Sequence, residues 1–130
     1  MATWESTRPY FERAAVAHLA TLLPDGAPHS VPVWVGVEGD GLAVFMIEGS
    51  RKDENLQRDP RVAISVTNPE NPLDMASVRG VATRRLFGTE AMEVVDRIAV
   101  AYTGERYEMR SGLAAFLIRP DKLQVQNYSG

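Results

Sequence analysis

Short apolar segments separated by turn residues constrain the fold of this chain more than any other feature of its sequence. The segments are rich in β-branched residues, with glycine, proline, asparagine or aspartate between them, which is typical of β-strands joined by tight turns. They cover residues 19–23, 28–35, 42–47, 61–67, 75–87, 114–118 and 123–128. Consecutive strands with short connections pair antiparallel. We therefore expect a mostly antiparallel sheet of about six or seven strands, with an edge or a bulge near Pro28 and Pro32, because proline donates no ladder hydrogen bond.

Two shorter segments favour helices. The first segment covers residues 7–17, with Ser6 or Thr7 as its candidate N-cap and apolar residues at helical spacing. Residues 50–58 are short and polar, and a proline soon after them ends the segment. We expect both helices to lie outside the sheet.

The longest candidate helix covers residues 89–103. Thr89 is its candidate N-cap, and Gly104 is suited to closing its C-terminus. One face of this helix is apolar, with Ala91, Val94, Val95, Ile98 and Tyr102 at helical spacing. The expected fold is mainly β (α+β), a small antiparallel barrel with flanking helices.

Composition and charge limit the classes of protein to which the chain can belong. The 130 residues are 45% apolar and 24% charged, so we expect one globular domain over residues 1–130. The net charge of −3 argues against nucleic acid as a partner. Because there is neither an apolar run of about 18 residues nor a signal peptide, we expect no membrane association and a cytoplasmic location. The absence of cysteine excludes disulfides, thiolate metal sites and a cysteine nucleophile.

The polar residues give no sign of hydrolytic or metal-dependent chemistry. The only histidines, His18 and His29, have no carboxylate at a ligand spacing, and no nucleotide-binding or serine-hydrolase motif is present. We therefore expect no metal site and no catalytic acid, base or nucleophile. Arg84 and Arg85 have two open interpretations, a part of an anion-binding pocket or a solvated strand end.

Basic residues at the start of the short polar helix form the first candidate site. If Ser50 is the N-cap, Arg51 and Lys52 lie in the first turn, where cations oppose the helix dipole and destabilise by about 0.3–1 kcal/mol each. A bound anion explains this placement, because free N–H groups, the dipole and two cations then act on one negative charge. In the alternative interpretation, both cations are solvated and paired locally with Asp53 and Glu54.

The strand segment Ser30, Val31, Pro32, Val33 and Trp34 is the second candidate site. Proline and β-branched residues stiffen its backbone and leave some polar groups unpaired, which suits the rim and face of a flat heteroaromatic ring. In the alternative interpretation, it is an ordinary core strand with Trp34 packed inside.

Residues 50–63 also carry a recognisable pattern, S-x-K-x-x-N-L-x-x-D-P-R-V-A. It resembles the pyridoxamine-phosphate-oxidase-like split barrel superfamily, and the flanks agree: A-T-L-x-x-D-G-x-P-x-x-x-P-V-W-V before it, then N-P-E-N-P and V-R-G after it. The resemblance covers about residues 19–80. Within the superfamily, the chain most resembles the flavin/deazaflavin oxidoreductase B group, whose members bind coenzyme F420 or FMN.

The resemblance implies a homodimer of six-stranded split barrels with the cofactor at the interface. Arg51 and Lys52 would hold the cofactor phosphate, Ser50 would add a hydroxyl or N–H, and Asn55, one helical turn later, would complete that end. The backbone of residues 30–34 would line the cofactor ring, and further contacts would come from Met46, Ile47 and, from the partner subunit, Arg79.

The expected function is that of an oxidoreductase that uses coenzyme F420, or alternatively FMN, to transfer hydride to a small organic substrate. Two departures qualify the resemblance. Ser50 stands where many relatives carry another basic residue, and the chain lacks the Arg/His-bearing segment of the longer vitamin B6 oxidases, so we do not expect vitamin B6 oxidation. Two rival interpretations are a non-catalytic protein that stores, delivers or senses the cofactor, and a haem-handling barrel that uses His18 or His29.

Overall fold

Seven strands form one antiparallel sheet in a computed structural model, which describes residues 2–128. In space the strands follow the order β2-β1-β5-β6-β7-β4-β3, and every neighbouring pair is antiparallel. Their bounds are β1 (Ala17–Leu22), β2 (Pro28–Val33), β3 (Gly36–Glu38), β4 (Gly41–Ile47), β5 (Arg61–Asn68), β6 (Asn71–Leu86) and β7 (Leu113–Asn127). The sheet confirms the predicted mainly β, antiparallel fold, although it has seven strands where the resemblance implied six.

The connection between β2 and β3 shows why this sheet is a split barrel. These strands lie at opposite edges of the sheet, yet only Trp34 and Val35 separate them along the chain. Two residues reach about 10 Å at most, so the sheet must curl until its edges lie side by side. Among the described residues, no ladder pairs β2 with β3, and the barrel therefore stays open along that line. The edge position of β2 also explains why it tolerates Pro28 and Pro32.

Three helices flank the sheet: α1 (Trp4–Phe11), α2 (Arg51–Arg58) and α3 (Gly88–Thr103). The prediction for the first helix was wrong in its position. Thr3 is the N-cap and forms a capping box with Ser6, in which each side-chain hydroxyl accepts the other residue's backbone N–H. Thr7 therefore lies inside the helix, where it is buried, rather than at its start.

The long helix α3 agrees with the prediction except at its first residue. Phe87, not Thr89, is the N-cap, and Gly104 closes the helix in the left-handed conformation with φ 82°. The predicted apolar face is buried at Ala91, Val94, Val95 and Ile98 and half-buried at Tyr102. This face packs on the outside of the sheet against Ala43, Leu86 and Ala115, whereas a second cluster that includes Leu19, Val44, Ile64, Val78 and Phe116 fills the barrel.

The final strand differs from the prediction of two separate strands. β7 runs continuously through Pro120, because the ladder between β6 and β7 shifts register at Arg79/Gly80 and pairs Pro120 with Gly80. This irregularity accommodates a proline that has no N–H to donate. The predicted interruption of β6 at Gly80 was wrong, because the strand is continuous there and only its register with β7 shifts. The close approach explains the glycine, since a Cβ atom would lie 1.9 Å from the carbonyl oxygen of Arg119.

None of the helices within residues 2–128 has the length and apolar character needed to cross a membrane.

Candidate functional site

A cavity of about 320 Å³ lies where β2, β4 and the start of α2 meet. Because β2 is at one edge of the sheet and β4 is next to the other, the cavity lies at the split in the barrel. Half of the residues predicted for the cofactor site line it, namely Pro32, Val33, Trp34, Met46, Ile47 and Lys52. The sequence interpretation missed its other lining residues, Phe45, Tyr107 and Leu113.

Aromatic side chains form one wall of this cavity. Trp34 stacks on Tyr102 with ring centroids 4.9 Å apart, and Tyr107 meets Phe45 edge-on at 5.0 Å. The hydroxyl of Tyr102 accepts the Val35 N–H at 3.0 Å and donates to the carbonyl oxygen of Ala15 at 2.7 Å. Trp34 is therefore packed against α3 and also lines the cavity.

The start of α2 presents free hydrogen-bond donors close to this cavity. Ser50 is the N-cap, as predicted, and the N–H of Glu54 makes the first intrahelical bond, to the Ser50 carbonyl at 3.0 Å. The N–H groups of residues 51–53 therefore precede the helical ladder. The Ser50 hydroxyl caps none of them, and its buried Oγ has no hydrogen-bond partner among the described residues. Buried hydroxyls are normally partnered, so this atom fits a site that takes a polar ligand.

Arg51 and Lys52 are not paired locally. Arg51 is exposed, Lys52 is half-buried in the cavity wall, and none of the ion pairs within residues 2–128 includes either cation. The Asp53 carboxylate is instead turned inward and pairs with Arg85, so the alternative of local pairing with Asp53 and Glu54 is wrong.

Asp53 is the most enclosed charged group at the site. Its side chain is completely buried and accepts hydrogen bonds from Arg85, from the Gly49 N–H at 2.9 Å and from the Gln57 amide at 3.0 Å. Burial raises the pKa of Asp53, but these hydrogen bonds and the charge of Arg85 outweigh it and hold the pKa below its ordinary value. Sequence spacing gave no signal for a pair whose members are 32 residues apart.

Asn55 has partners other than those expected from the resemblance. The side chain is completely buried, donates to Thr21 Oγ1 at 3.0 Å and accepts from Arg58 at 3.0 Å. It does not line the cavity. Its amide joins α2 to β1, which makes it a structural support for the turn that carries Lys52 rather than part of the cavity wall.

The remaining predicted residues lie outside this cavity. Ser30 is exposed and Val31 is half-buried on β2. Arg79 is exposed at a separate cavity of about 310 Å³ formed by β1, β5 and β6. Arg84 pairs with exposed Glu90.

Within residues 2–128, no group of three histidine, aspartate or glutamate side chains is arranged to hold a metal ion. His18 is exposed on β1. His29 is half-buried on β2, and its Nδ1 atom is buried without a partner among the described residues. These positions do not bring the two histidines into the cavity wall described above.

The family model for pyridoxamine 5'-phosphate oxidase matches residues 3–127. The chain belongs to this family. The solved structure of an F420 reductase is 26% identical in sequence, with a TM-score of 0.79 over 90% of this chain and 94% of that one. No curated protein gives a significant match.

Two further solved structures share the fold of this pyridoxamine 5'-phosphate oxidase family member. A conserved hypothetical protein from Mycobacterium tuberculosis is 21% identical, with a TM-score of 0.83 over 99% of this chain and 87% of that one. A heme binding protein from Mycobacterium smegmatis is 24% identical, with a TM-score of 0.75 over 100% of this chain and 56% of that one. The fold of the family is therefore found in proteins of more than one described function.

Proposed function

We propose that this protein is an oxidoreductase that uses coenzyme F420, with FMN as the alternative, to transfer hydride to a small organic substrate. One observation carries the proposal: the unpaired Lys52 lies in the wall of an apolar, aromatic cavity, beside the free N–H groups of a helix start. An anionic group and a flat ring in one ligand match these two features together. The similarity to an F420 reductase supports the same class of cofactor.

The anionic end of the cofactor is assigned to the start of α2. Lys52 and Arg51 supply positive charge, the N–H groups of residues 51–53 supply donors, and the Ser50 hydroxyl supplies a buried polar atom that is otherwise unpartnered. Charge-assisted hydrogen bonds of this kind are short and strong. The buried amide of Asn55 keeps α2 attached to β1 and so holds these donors in place.

The cofactor ring is assigned to the cavity between β2 and β4. Pro32, Val33 and Trp34 line one side of the cavity and Met46 and Ile47 line another, which gives the ring apolar surface to pack against. The cofactor, when bound, supplies hydride transfer, while the chain binds and orients it and leaves the substrate a place on the open face of the ring. Lys52 and Tyr107 are the titratable side chains in the lining.

The arginines near Lys52 help to distinguish between the two cofactors. Coenzyme F420 has an anionic tail beyond its phosphate, which an extended row of free arginines would suit. Arg84 and Arg85 are in ion pairs, and Arg58 donates to the Leu22 carbonyl and to Asn55. Of the arginines considered for this row, that leaves the exposed Arg51, which has no ion pair among residues 2–128. The preference for F420 therefore rests on Arg51 and on the similarity to an F420 reductase.

A homodimer with the cofactor at the interface is part of the proposal. Arg79 lines a different cavity from Lys52 within one chain, so it reaches the cofactor only if a second copy supplies it. Ile47, in the cavity wall, is 58% exposed, which leaves apolar surface at the site for a second copy to cover.

Heme binding is the second candidate function, because a heme binding protein shares this fold over the whole chain. The unpartnered Nδ1 atom of His29 is the feature of this chain that fits it. A protein that only binds the cofactor, for storage, delivery or sensing, would use the same cavity. A measurement of turnover distinguishes this role from catalysis.

The test is a side-by-side fluorescence titration of the purified protein with F420 and FMN, followed by turnover of the reduced cofactor with a panel of electrophilic substrates. We expect tighter binding of F420 than of FMN, and oxidation of the reduced cofactor by at least one substrate. Binding without turnover identifies a cofactor-binding protein. Failure to bind either cofactor, together with a Soret band on addition of hemin, overturns the proposal in favour of heme.

A further inference from the structure

We infer that the Asp53–Arg85 ion pair is a positioning device for the anion-binding turn, residues 49–52. The pair holds this turn in shape, and Arg85 neutralises the negative charge that Asp53 would otherwise place next to the bound anion. The inference rests on the proposed function, since it concerns how the start of α2 binds the anionic end of the cofactor. Neither residue lines the cavity, so both act through Ser50, Arg51 and Lys52.

The pair has the geometry of a fixed connection between the sheet and the helix. Arg85 on β6 donates from Nε to Asp53 Oδ1 at 2.9 Å and from Nη2 to Oδ2 at 2.8 Å. This two-point contact fixes orientation as well as distance. The Asp53 side chain is completely buried and that of Arg85 is 30% exposed, so the contact is shielded from solvent on the aspartate side.

The same carboxylate shapes the chain before the helix. Asp53 Oδ2 also accepts the N–H of Gly49, whose φ of +79° turns the backbone into the N-cap Ser50. Asp53 therefore links Arg85 on β6 to Gly49, which directly precedes the N-cap Ser50. If the carboxylate moved, the free N–H groups and the two cations would move with it.

The charge of Asp53 also bears on anion binding. The carboxylate is on the residue after Lys52, in a buried setting where Coulomb interactions are stronger than in water. Without Arg85 it would repel an anion held by the same turn. Glu48, directly after β4, also acts electrostatically on Arg85, and Lys52 and Glu54 are the charged residues on either side of Asp53 in the sequence. Hydrogen bonding to Asp53 raises the pKa of Arg85, so the guanidinium stays charged.

Removal of Arg85 should make cofactor binding depend on pH. The pKa of the Asp53 carboxyl group should then rise, because the hydrogen bond and charge of Arg85 are gone and burial is opposed only by the hydrogen bonds from Gly49 and Gln57. Above that pKa, a buried negative charge opposes the ligand, and below it the neutral acid does not. The ratio of variant to wild-type dissociation constants should therefore increase as pH rises, whereas titration of the ligand itself cancels in the ratio.

The experiment measures dissociation constants for F420 and FMN by fluorescence from pH 5 to 8, on the wild type and four variants. Arg85→Gln should weaken binding about tenfold at pH 8 and much less at pH 5. The double variant Asp53→Asn/Arg85→Gln should show a ratio that does not change with pH, and Arg85→Lys should recover part of the affinity. Arg84→Gln is the matched control, since its partner Glu90 is exposed, and it should bind as the wild type does.

Urea unfolding of each variant separates loss of fold from loss of positioning. If Arg85→Gln does not fold, the double variant is compared with Arg84→Gln instead, because the double variant leaves no unpaired buried charge. A constant ratio for Arg85→Gln across pH, or a pH-dependent ratio that persists in the double variant, overturns the inference while leaving the proposed function intact. If the wild type binds neither cofactor, the proposed function fails and the inference fails with it.

Discussion

Within the described part of the chain, the two cations at the start of α2 have no carboxylate partner, whereas seven arginines at other positions are in ion pairs. The ion pairs within residues 2–128 use the arginines at positions 8, 61, 84, 85, 97, 110 and 119. The carboxylate nearest in sequence to Lys52 is Asp53, and Arg85 occupies it. The turn therefore keeps two positive charges available against the helix dipole, an arrangement that helps an anionic ligand and does not help folding.

Lys52→Ala should weaken cofactor binding by about 1–3 kcal/mol, the range for hydrogen bonds to a charged group. Its folding stability should stay the same or rise slightly, because a cation that opposes the helix dipole is removed. Fluorescence titration and urea unfolding measure the two effects. Lys122→Ala is the control, since Lys122 is exposed on β7 and does not line the cavity. Unchanged affinity in Lys52→Ala would place the anion elsewhere.

Asn55→Ala should have the opposite profile. The change leaves the buried hydroxyl of Thr21 without its partner and should lower the free energy of unfolding by about 1–3 kcal/mol. Binding per folded molecule should fall less than in Lys52→Ala, because Asn55 supports the turn from outside the cavity. Urea unfolding and titration of the folded protein measure both quantities, with Glu54→Ala on the exposed side of α2 as the control. A larger loss of affinity than of stability would show Asn55 to be a ligand.

Gly80 lies where the ladder between β6 and β7 shifts register. In Gly80→Ala the new methyl group would lie 1.9 Å from the Arg119 carbonyl oxygen, an atom of the backbone that a rotamer change cannot move. The ladder must then shift, and we expect a loss of about 1–3 kcal/mol of stability, the usual range for overpacking. Thermal unfolding measures it, with Thr83→Ala at an exposed position of β6 as the control. Equal melting temperatures for the two variants would contradict this account.

Local sequence patterns predicted most of the helices and strands, and they failed where the structure depends on contacts between residues distant in sequence. Alternation and turn residues identified the strands because each needs only its own buried face and a short connection. The break after Val33 and the continuous β7 depend on the curl of the sheet and on the pairing of Gly80 with Pro120, which no local window contains.

The predictions for the candidate site divide in the same way, between residues with a local sequence signal and residues without one. Lys52 and Trp34 were predicted because unusual placement and strand position mark them in the sequence. Tyr107 belongs to an irregular segment without periodicity, and Arg85 reaches Asp53 from another strand, so neither had a local signal.

At the scale of the whole molecule, acid should destabilise the fold. The hydrogen bond from Tyr10 lowers the pKa of Asp74, and the Arg61 side chain lowers the pKa of Asp59 to about 2. A carboxyl group with a pKa below its unfolded value stabilises the fold above the unfolded pKa, near 4, and loses that effect as pH falls through the folded pKa. The urea midpoint should therefore be steady between about pH 7 and 5 and fall between about pH 4 and 2.

Asp74→Asn should make that decline shallower, because one carboxyl group with a lowered pKa is then absent. The comparison is with Asp40→Asn, a change in an exposed turn. Identical acid profiles for wild type and Asp74→Asn would show that the contact with Tyr10 does not couple protonation to folding.

Assembly is also a property of the whole molecule. Large apolar side chains are exposed at Val16, Ile47, Leu73 and Phe87, and a chain of this size has a modest core, so a second copy has surface to cover. We expect a homodimer at micromolar concentration, measured by light scattering. A mass of 14.3 kDa under those conditions would contradict it.

The attachment of α2 has a consequence for protein engineering. Among the described residues, three polar side-chain contacts fix this helix to the sheet, from Asp53 to Arg85, from Asn55 to Thr21 and from Arg58 to the Leu22 carbonyl. A graft of residues 49–58 into another barrel would carry the cations but none of the sheet residues that hold them. The smallest transplantable unit is thus discontinuous, and it must bring Thr21 and Arg85 together with the helix.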